Sequence, residues 1–257
     1  MSPLALVSVS DKTNIIQFCK ELVEEFDYKI LSSGGTAKYL LDAKIPVTKI
    51  AEFTNSPEIL EGRVKTLHPK IHGGILAKRN NEKHKKDLEA NNIELIDLVV
   101  VNLYPFKKKT EEECSWEEAI ENIDIGGPSM IRSAAKNHKD VSILVDPNQY
   151  KDFIEENRKG SLTEEYKAKL AFLAFQHTAD YDATITNWIR NKKDLISSKH
   201  IQSFPLVKTL RYGENPHQKA FWYGLNNIGW NSAEQLQGKE LSYNNLLDLE
   251  SALSTVL

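Results

Sequence analysis

Hydrophobic positions along the chain follow two alternating patterns. Short runs rich in aliphatic and β-branched residues predict strands, and these runs are Leu4–Val9, Tyr28–Leu31, Pro46–Ile50, Ile96–Val101 and Val141–Val145. Between the runs, hydrophobic residues recur every three or four positions, which predicts amphipathic helices. This alternation favours an α/β fold, namely a three-layer sandwich around a mostly parallel five-stranded sheet with right-handed crossovers.

Short polar residues ahead of the predicted helices supply candidate N-caps. They are Ser10 or Asp11 before Ile15–Phe26, Ser115 before a helix to Asn122, Asp146-Pro147, and Ser161 before a helix to about Arg190. Ser115 and Ser161 each have a glutamate three residues on, which is the spacing of a capping box. Helices are also predicted at Ala37–Asp42, Asn81–Ala90 and 130–138.

The chain is expected to divide into three parts. Residues 1–146 carry the alternating strands and helices, and residues 147–200 are predicted to form a helical extension and a polar linker. Residues 201–257 follow an abrupt change in composition and end on the leucine-rich stretch Leu241–Leu257. We expect this last part to be the truncated start of a second α/β domain, with an apolar face that lacks its partner.

Composition and charge exclude several classes of protein. The 257 residues include 33 Lys and Arg against 36 Asp and Glu, so a formal charge of −3 does not favour binding to nucleic acid or to an acidic membrane. Apolar runs are too short to cross a bilayer or to form a signal peptide. The two cysteines, Cys19 and Cys114, suit a reducing compartment, and we expect a cytoplasmic protein.

Polar and glycine-containing segments follow three of the predicted strands. These segments are 10–12, 33–36 and 102–104, and the basic loop Gly62–Pro69 follows the third strand after an irregular stretch. Because ligands of parallel α/β sheets bind beyond the carboxyl ends of the strands, the segments should form one pocket. Arginine and lysine in the loop, with a strand–glycine–helix turn nearby, point to a phosphate-containing ligand. Taken alone, the loop would be a solvated basic surface.

Other candidate residues have competing interpretations. Tyr104 suits either a proton-transfer role or a core position at a strand end, and Asp124 suits either catalysis or a helix cap. Lys136 could complement a helix C-terminus. His68 and His72 have the spacing of metal ligands on a helix, but Pro69 between them is expected to break such a helix, so we predict no metal site.

Several motifs together give the chain a family resemblance. They are Ser8–Lys12, Ser33–Ala37, Gly62–Pro69, Asn102–Phe106, Asp124–Gly127 and Ala134–His138. With these motifs, the chain resembles the bifunctional purine-biosynthesis family that joins AICAR formyltransferase to IMP cyclohydrolase. The resemblance spans residues 4 to about 200 for the cyclohydrolase domain, whose fold is similar to methylglyoxal synthase. The run Arg211–Gln218 resembles the opening of the formyltransferase domain.

The resemblance implies closure of 5-formamidoimidazole-4-carboxamide ribonucleotide to inosine monophosphate with loss of water. It implies no metal or organic cofactor for this step, 10-formyltetrahydrofolate as cosubstrate of the full-length formyltransferase, and a homodimer for the full-length protein. Since most of the second domain is not in this sequence, we expect ring closure without formyl transfer. We also expect proteolysis after about Ile201 to leave ring closure intact.

Site residues carried over from the family fall into three groups. Those implied in catalysis are Lys65, Tyr104, Asp124 and Lys136, with one lysine on the developing oxyanion and the Tyr104–Asp124 pair in proton transfer; which lysine does which stays open. Those implied in substrate binding are Ser10, Asp11, Lys12, Ser33, Gly34, Gly35, Thr36, Arg63, Val64, Thr66, Val101, Asn102, Ile125 and Gly126. Arg211, Tyr212 and His217 resemble substrate contacts of the formyltransferase.

A regulatory module is the alternative. The same fold resembles the allosteric domain of carbamoyl phosphate synthetase, which binds a phosphorylated ligand without ring chemistry. The combination of Lys65, Tyr104, Asp124 and Lys136 favours the enzyme, because a site that only binds phosphate needs neither a phenol nor a carboxylate.

Overall fold

A five-stranded parallel sheet forms the centre of the N-terminal unit in the computed structural model, which describes residues 2–225 and 228–257. The strands are β1 Leu4–Val9, β2 Lys29–Ser32, β3 Val47–Lys49, β4 Leu98–Asn102 and β5 Ser142–Leu144. Their order is β3-β2-β1-β4-β5 and all four pairings are parallel. Each strand overlaps one of the predicted runs, and the α/β sandwich is confirmed.

Helices connect the strands and then extend the unit beyond β5. They are α1 Ile15–Phe26, α2 Gly34–Asp42, α3 Ile50–Thr54, α4 Pro69–Leu76, α5 Glu82–Ala90, α6 Phe106–Glu111, α7 Trp116–Glu121, α8 Gly126–Lys136, α9 Gln149–Arg158 and α10 Glu164–Lys193. Every residue of β4 is buried, and successive side chains of a strand point to opposite faces. Both faces of the sheet are therefore covered, as its continuous apolar sequence predicts.

The strand order reverses direction between β1 and β4. From β1 the chain adds β2 and β3 on one side, and then returns to add β4 and β5 on the other. Val9 at the end of β1 is in register with Asn102 at the end of β4. Such a switch point leaves a crevice beyond the carboxyl ends of the two strands, which is where ligands of open α/β sheets bind.

The first helix has the predicted bounds, Ile15–Phe26, but a different N-cap. Its N-cap is Asn14, in the left-handed region at φ 57°, so neither Ser10 nor Asp11 caps it. Asp11 Oδ1 instead accepts a hydrogen bond from the Thr13 backbone N–H at 2.9 Å, closing a turn within the loop. The Asp11 side chain therefore stabilises a local turn instead of capping the helix.

Two further cap predictions are wrong, and one is confirmed. Thr163, not Ser161, caps α10 by accepting from the Tyr166 N–H at 3.1 Å. α9 begins two residues beyond Pro147, because Asp146 Oδ1 accepts from the Asn148 N–H in a turn. Ser115 forms both hydrogen bonds of its capping box with Glu118. Spacing alone did not distinguish Ser161 from Thr163, since both are hydroxyl residues ahead of the same glutamates.

The stretch predicted as irregular contains structure of its own. A 3₁₀ turn spans Leu60–Gly62, and Ile59 pairs with Val64 in an isolated antiparallel bridge. Pro69 begins α4 instead of breaking a helix, which suits proline at the first helical position. His68 caps α4, its Nδ1 accepting from the Lys70 N–H. His68 is extended at φ −138° and lies outside α4, so no helix contains both His68 and His72, as Pro69 led us to expect.

The chain divides into two compact units, Met1–Lys199 and His200–Leu257. The second unit has an antiparallel pair, β6 Leu206–Leu210 and β7 Ala220–Tyr223, and a final helix, α11 Tyr243–Val256. Within it, the Arg211 guanidinium lies 4.8 Å from the Tyr212 ring, and His217 is exposed in the loop that follows. In the described ranges, no helix is both long enough and apolar enough to span a bilayer.

Candidate active site at the carboxyl edge of the sheet

A cleft of about 560 Å³ lies at the carboxyl ends of the strands in the N-terminal unit. This volume is in the range of small-molecule sites. The predicted site residues that line it are Ser10, Lys12, Ser33, Gly35, Thr36, Arg63, Lys65, Thr66, Asn102, Tyr104, Asp124, Ile125 and Gly126. The structure thus brings together segments that lie more than a hundred residues apart in the sequence.

One end of the cleft is formed by the start of α2. Gly34 adopts φ 53°, a left-handed conformation that glycine reaches without strain, so the helix begins three residues before the predicted Ala37. Ser33 is the N-cap residue, but its side chain makes no capping hydrogen bond. Its hydroxyl is buried, lines the cleft and has no hydrogen-bond partner in the described part of the chain. An uncapped helix N-terminus with a free buried hydroxyl suits an anion.

Two residues expected to contact the ligand use their side chains to join loops. Asn102 Oδ1 accepts from the Ser10 and Asp11 N–H groups at 2.7 and 2.8 Å, and its Nδ2 donates to the Asp11 carbonyl. Thr36 Oγ1 accepts from the Val9 N–H and donates to the Val9 carbonyl. These hydrogen bonds fix the β1–α1 loop against β4 and α2, which shapes the floor of the cleft.

Lys65 lies close to both the start of α2 and Asp124. Its Nζ is 3.6 Å from the position that a Cβ on Gly34 would occupy, so the ammonium group sits beside the start of α2. The same ammonium lowers the pKa of Asp124, which indicates that its charge also acts on that carboxyl. Lysine is a mobile point charge on a flexible stem, and from this position it can act at the start of α2 or at Asp124.

Asp124 is a half-buried carboxyl that lines the cleft. Burial raises its pKa, and this effect is opposed by the Gly127 N–H, by Lys65 and by the Tyr104 backbone N–H. Asp124 Oδ1 accepts from the Gly127 N–H at 2.8 Å. A Cβ at Gly127 would lie only 2.5 Å from Asp124 Oδ2, so only glycine leaves room for the carboxylate there. A half-buried carboxyl with a raised pKa beside a cation is typical of a proton-transfer group.

Tyr104 stands at the end of β4 with 41% of its surface exposed, and its phenol faces the cleft. It is therefore not the buried core aromatic of the alternative interpretation. Its backbone carbonyl accepts from the Phe106 N–H at 2.7 Å, closing the tight turn that precedes α6. Tyr104 and Asp124 both line the cleft, and the Tyr104 backbone N–H acts on the Asp124 carboxyl.

Arg63 forms an ion pair that the sequence does not predict. Its guanidinium donates through Nε and Nη2 to both carboxylate oxygens of Glu121, which lies at the end of α7. Both side chains are largely exposed and both line the cleft. The hydrogen bonds from Arg63 lower the pKa of Glu121 and those to Glu121 raise the pKa of Arg63. Any anion that binds Arg63 must compete with this carboxylate.

Some predicted residues do not line the cleft. Lys136 is exposed at the far end of α8, ten residue steps or about 15 Å from Gly126, so the structure does not bring it to the cleft of its own chain. Val101 is buried within β4, and Val64 pairs its backbone with Ile59. The others absent from the lining are Asp11 and Gly34, which belong to the loops that frame it.

Sequence reasoning missed several lining residues. They are Ser8, Val9, Glu61, Gly62, Ile120, Glu121, Ile123, Gly127 and Met130. Four of them belong to the motifs that carry the family resemblance and could have been inferred from neighbouring site residues. These four are Ser8, Val9, Gly62 and Gly127. Glu121 and Ile120 lie on α7. The sequence of this helix indicates a surface helix with a capping box and gives no sign of a functional position.

The fold and the cleft define a class: a parallel α/β domain with a candidate anion-binding site at its switch point. A family model for the MGS-like domain matches residues 14–129, and a model for the AICARFT/IMPCHase bienzyme matches residues 134–257. Two curated relatives named "Bifunctional purine biosynthesis protein PurH", from Prochlorococcus marinus strains MIT 9301 and NATL1A, are 80% and 60% identical over 257 residues. The chain belongs to this family of bifunctional purine biosynthesis proteins.

The match to these relatives covers only part of their length. All of this chain aligns, but it spans about half of the curated relatives, 50% in both cases. Among solved structures, the crystal structure of ForH is 34% identical and superposes with a TM-score of 0.64. The superposition covers 74% of this chain and 100% of that one.

Proposed function

We propose that this chain is an IMP cyclohydrolase, which closes 5-formamidoimidazole-4-carboxamide ribonucleotide to inosine monophosphate with loss of water. One observation carries the proposal. The same cleft is lined by the start of α2, where the buried Ser33 hydroxyl has no partner among the described residues, and by the half-buried Asp124 carboxyl of raised pKa, with the Lys65 ammonium close to both. A ligand with a phosphate at one end and a reacting amide at the other fits this arrangement.

The reaction needs little beyond positioning and proton transfer. The carboxamide nitrogen attacks the formyl carbon, one N–H proton is removed, and the formyl oxygen becomes a developing oxyanion. That oxygen then leaves as water with this proton and the formamide N–H hydrogen, which gives the closed ring. Because nucleophile and electrophile belong to one molecule, much of the proximity advantage lies in the substrate.

Residues of the cleft can supply each requirement. The Lys65 ammonium is assigned to the developing oxyanion, since it lies where its charge reaches both the helix start and Asp124. Asp124 takes the carboxamide proton and Tyr104 assists, because both line the cleft and burial raises the pKa of Asp124. Lys136 is given no role in the cleft of its own chain.

The test is direct. Purified chain is incubated with the formamido ribonucleotide, and the absorbance of inosine monophosphate is followed against a sample without protein and a sample of Lys65→Ala. Turnover by the wild-type chain alone supports the proposal. Tight binding of inosine monophosphate with no turnover would instead support the phosphorylated-ligand-binding module, which shares the anion site and lacks the chemistry.

The two serines at the end of β2 offer a matched test of the anion site. Both hydroxyls are buried without a partner in the described residues, but Ser33 lines the cleft and Ser32 does not. A hydrogen bond to a charged group contributes about 1.5–3 kcal/mol, so Ser33→Ala should weaken inosine monophosphate binding by roughly tenfold to a hundredfold. Calorimetry should find unchanged affinity for Ser32→Ala. Equal affinities for both variants would remove Ser33 from the site.

Glu121 is predicted to oppose phosphate binding. It occupies the Arg63 guanidinium and adds a negative charge to the rim of the cleft. Because such exposed pairs are weak, Glu121→Gln should tighten inosine monophosphate binding by up to about fivefold at low salt, and less at high salt. Glu117→Gln on the same helix is the control, since that residue does not line the cleft. Weaker binding by Glu121→Gln would show that the carboxylate contacts the ligand favourably.

A further inference from the structure

The long helix α10 reaches the candidate site through one hydroxyl. Tyr181 lies near the middle of α10 and does not line the cleft. Its Oη accepts a hydrogen bond from the Asp124 backbone N–H at 2.8 Å and donates to the Asn122 carbonyl at 3.5 Å. The hydroxyl therefore bridges two backbone groups of the short loop between α7 and α8, which carries the Asp124 carboxylate.

The ring of Tyr181 also touches the segment that carries Tyr104. The side chain is 9% exposed and packs edge-on against Phe106, with ring centroids 6.3 Å apart. Phe106 begins α6 directly after the Tyr104–Pro105 turn and also packs against Trp188 of α10, with centroids 5.5 Å apart. One residue of α10 thus contacts both segments that present the proton-transfer pair.

The hydroxyl is suited to holding and not to proton transfer. Burial raises the pKa of Tyr181 to about 12, so the phenol stays neutral at working pH and can accept and donate at once. Its hydrogen bond from Asp124 involves the backbone, whereas the carboxylate itself is held by the Gly127 N–H. The two anchors fix Asp124 from opposite sides, one at the main chain and one at the side chain.

We propose that Tyr181 is a positioning residue that holds the Asp124 loop so that the carboxylate faces the reacting amide. The inference rests on the proposed cyclohydrolase activity for its kinetic consequence. It assigns a function in the reaction to the helical extension, which contributes nothing to the lining of the cleft. Without the hydroxyl, the Asp124 N–H is left in a half-buried place without its acceptor, and the loop is free to shift.

A tyrosine on the same helix provides the matched control. Tyr166 donates its hydroxyl to Asp152 Oδ2 at 3.1 Å, far from the cleft, so Tyr166→Phe also removes one hydroxyl hydrogen bond from α10. Misplacing a reacting group by about 1 Å can cost about a hundredfold in rate. We therefore expect Tyr181→Phe to lower kcat by roughly tenfold to a hundredfold with KM nearly unchanged. Tyr166→Phe should leave both constants as in the wild type.

The pH profile distinguishes positioning from general loosening of the fold. The groups that act on the Asp124 carboxyl are the Gly127 N–H, the Lys65 ammonium and the Tyr104 N–H, while Asp124, Asp182 and Tyr104 act on Tyr181. If the loop loosens, water reaches the carboxylate, the burial effect weakens, and the pKa of Asp124 falls toward its ordinary value. The acid limb of kcat should then move to lower pH in Tyr181→Phe and stay in place in Tyr166→Phe.

Failure of the activity and failure of the positioning role can be separated. If the wild-type chain shows no turnover, the proposed function fails, and the Asp124 carboxyl can still be titrated by ¹³C NMR in wild type, Tyr181→Phe and Tyr166→Phe. A lower pKa of Asp124 in Tyr181→Phe alone supports the positioning role. An unchanged Asp124 titration, or equal kcat in the two phenylalanine variants, would overturn it.

Discussion

Lys65→Ala should reduce kcat by about 10²–10³-fold, the loss expected when a donor to a developing oxyanion is removed. The ammonium group lies beside the start of α2 and its charge reaches Asp124, so it is placed to act on charge that appears only in the transition state. Removing an interaction made only in the transition state lowers kcat, whereas removing one made equally in the ground state raises KM.

Arg63→Ala is the matched comparison on the same loop. Arg63 lies on the rim, exposed and paired with Glu121, and is expected to anchor the phosphate throughout the reaction. Its loss should raise KM by about tenfold and leave kcat within a few-fold of the wild type. Steady-state kinetics of the two variants measure both constants. Equal changes of kcat and KM in the two variants would contradict this division between Lys65 and Arg63.

A second signature separates the two basic residues. Because Lys65 lowers the pKa of Asp124, its removal should raise that pKa further and move the acid limb of the rate profile to higher pH. Arg63 is not among the groups that act on this carboxyl, so Arg63→Ala should leave the limb in place. The direction in which the acid limb of the rate profile moves does not depend on how much kcat falls.

The strands and the convergence of the motifs could be predicted because they depend on local sequence. An uninterrupted apolar run such as β4 can be satisfied only by burial on both faces, and parallel strands bring their carboxyl ends to one edge. From these two rules, Ser33 and Asn102 were expected at the same pocket, and both line it. The chemistry assigned to Asp124 rests on the family resemblance, since its burial is not visible in its neighbours along the chain.

Features that depend on long-range packing could not be predicted. The Arg63–Glu121 pair joins residues 58 positions apart, and the hydroxyl of Tyr181 reaches Asp124 across 57. No local pattern encodes either contact. Lys136 was expected at the site by resemblance. α8 begins with Gly126 at the cleft and ends with Lys136, so the length of the helix places Lys136 away from the cleft. A hydroxyl at Ser161 or Thr163 could cap α10, and only backbone geometry selected Thr163.

Asp124→Asn should abolish most turnover and still make the protein more stable at neutral pH. A general base contributes about 10²–10⁴-fold to rate, so a loss of that size is expected in kcat. The stability effect follows from linkage. The folded protein binds the Asp124 proton more tightly than the unfolded chain does, because burial raises its pKa above the ordinary value.

The sign of the stability effect gives a defined pH window. Below the ordinary carboxyl pKa of about 4, the carboxyl is protonated in both states and its favourable contribution is complete. As pH rises through the raised folded pKa, the buried group ionises and that contribution is lost. An asparagine never ionises, so the gain in unfolding free energy of Asp124→Asn over wild type should be small near pH 4 and grow toward neutrality.

Glu118→Gln is a control of opposite sign for this last prediction. The pKa of Glu118 is lowered by its hydrogen bonds with Ser115, so its carboxylate stabilises the fold at neutral pH and the benefit is lost as pH falls. Urea unfolding from pH 4 to 8 should therefore show Asp124→Asn above the wild type and Glu118→Gln below it at neutral pH, with both differences shrinking in acid. If Asp124→Asn were less stable than wild type at pH 7, the carboxylate would stabilise the fold. Its assignment as a base whose ionised form lowers the free energy of unfolding would then fail. The loss of turnover with a gain in stability is the combination expected of a group retained for chemistry, since a carboxylate kept only as a cap for α8 would show the reverse.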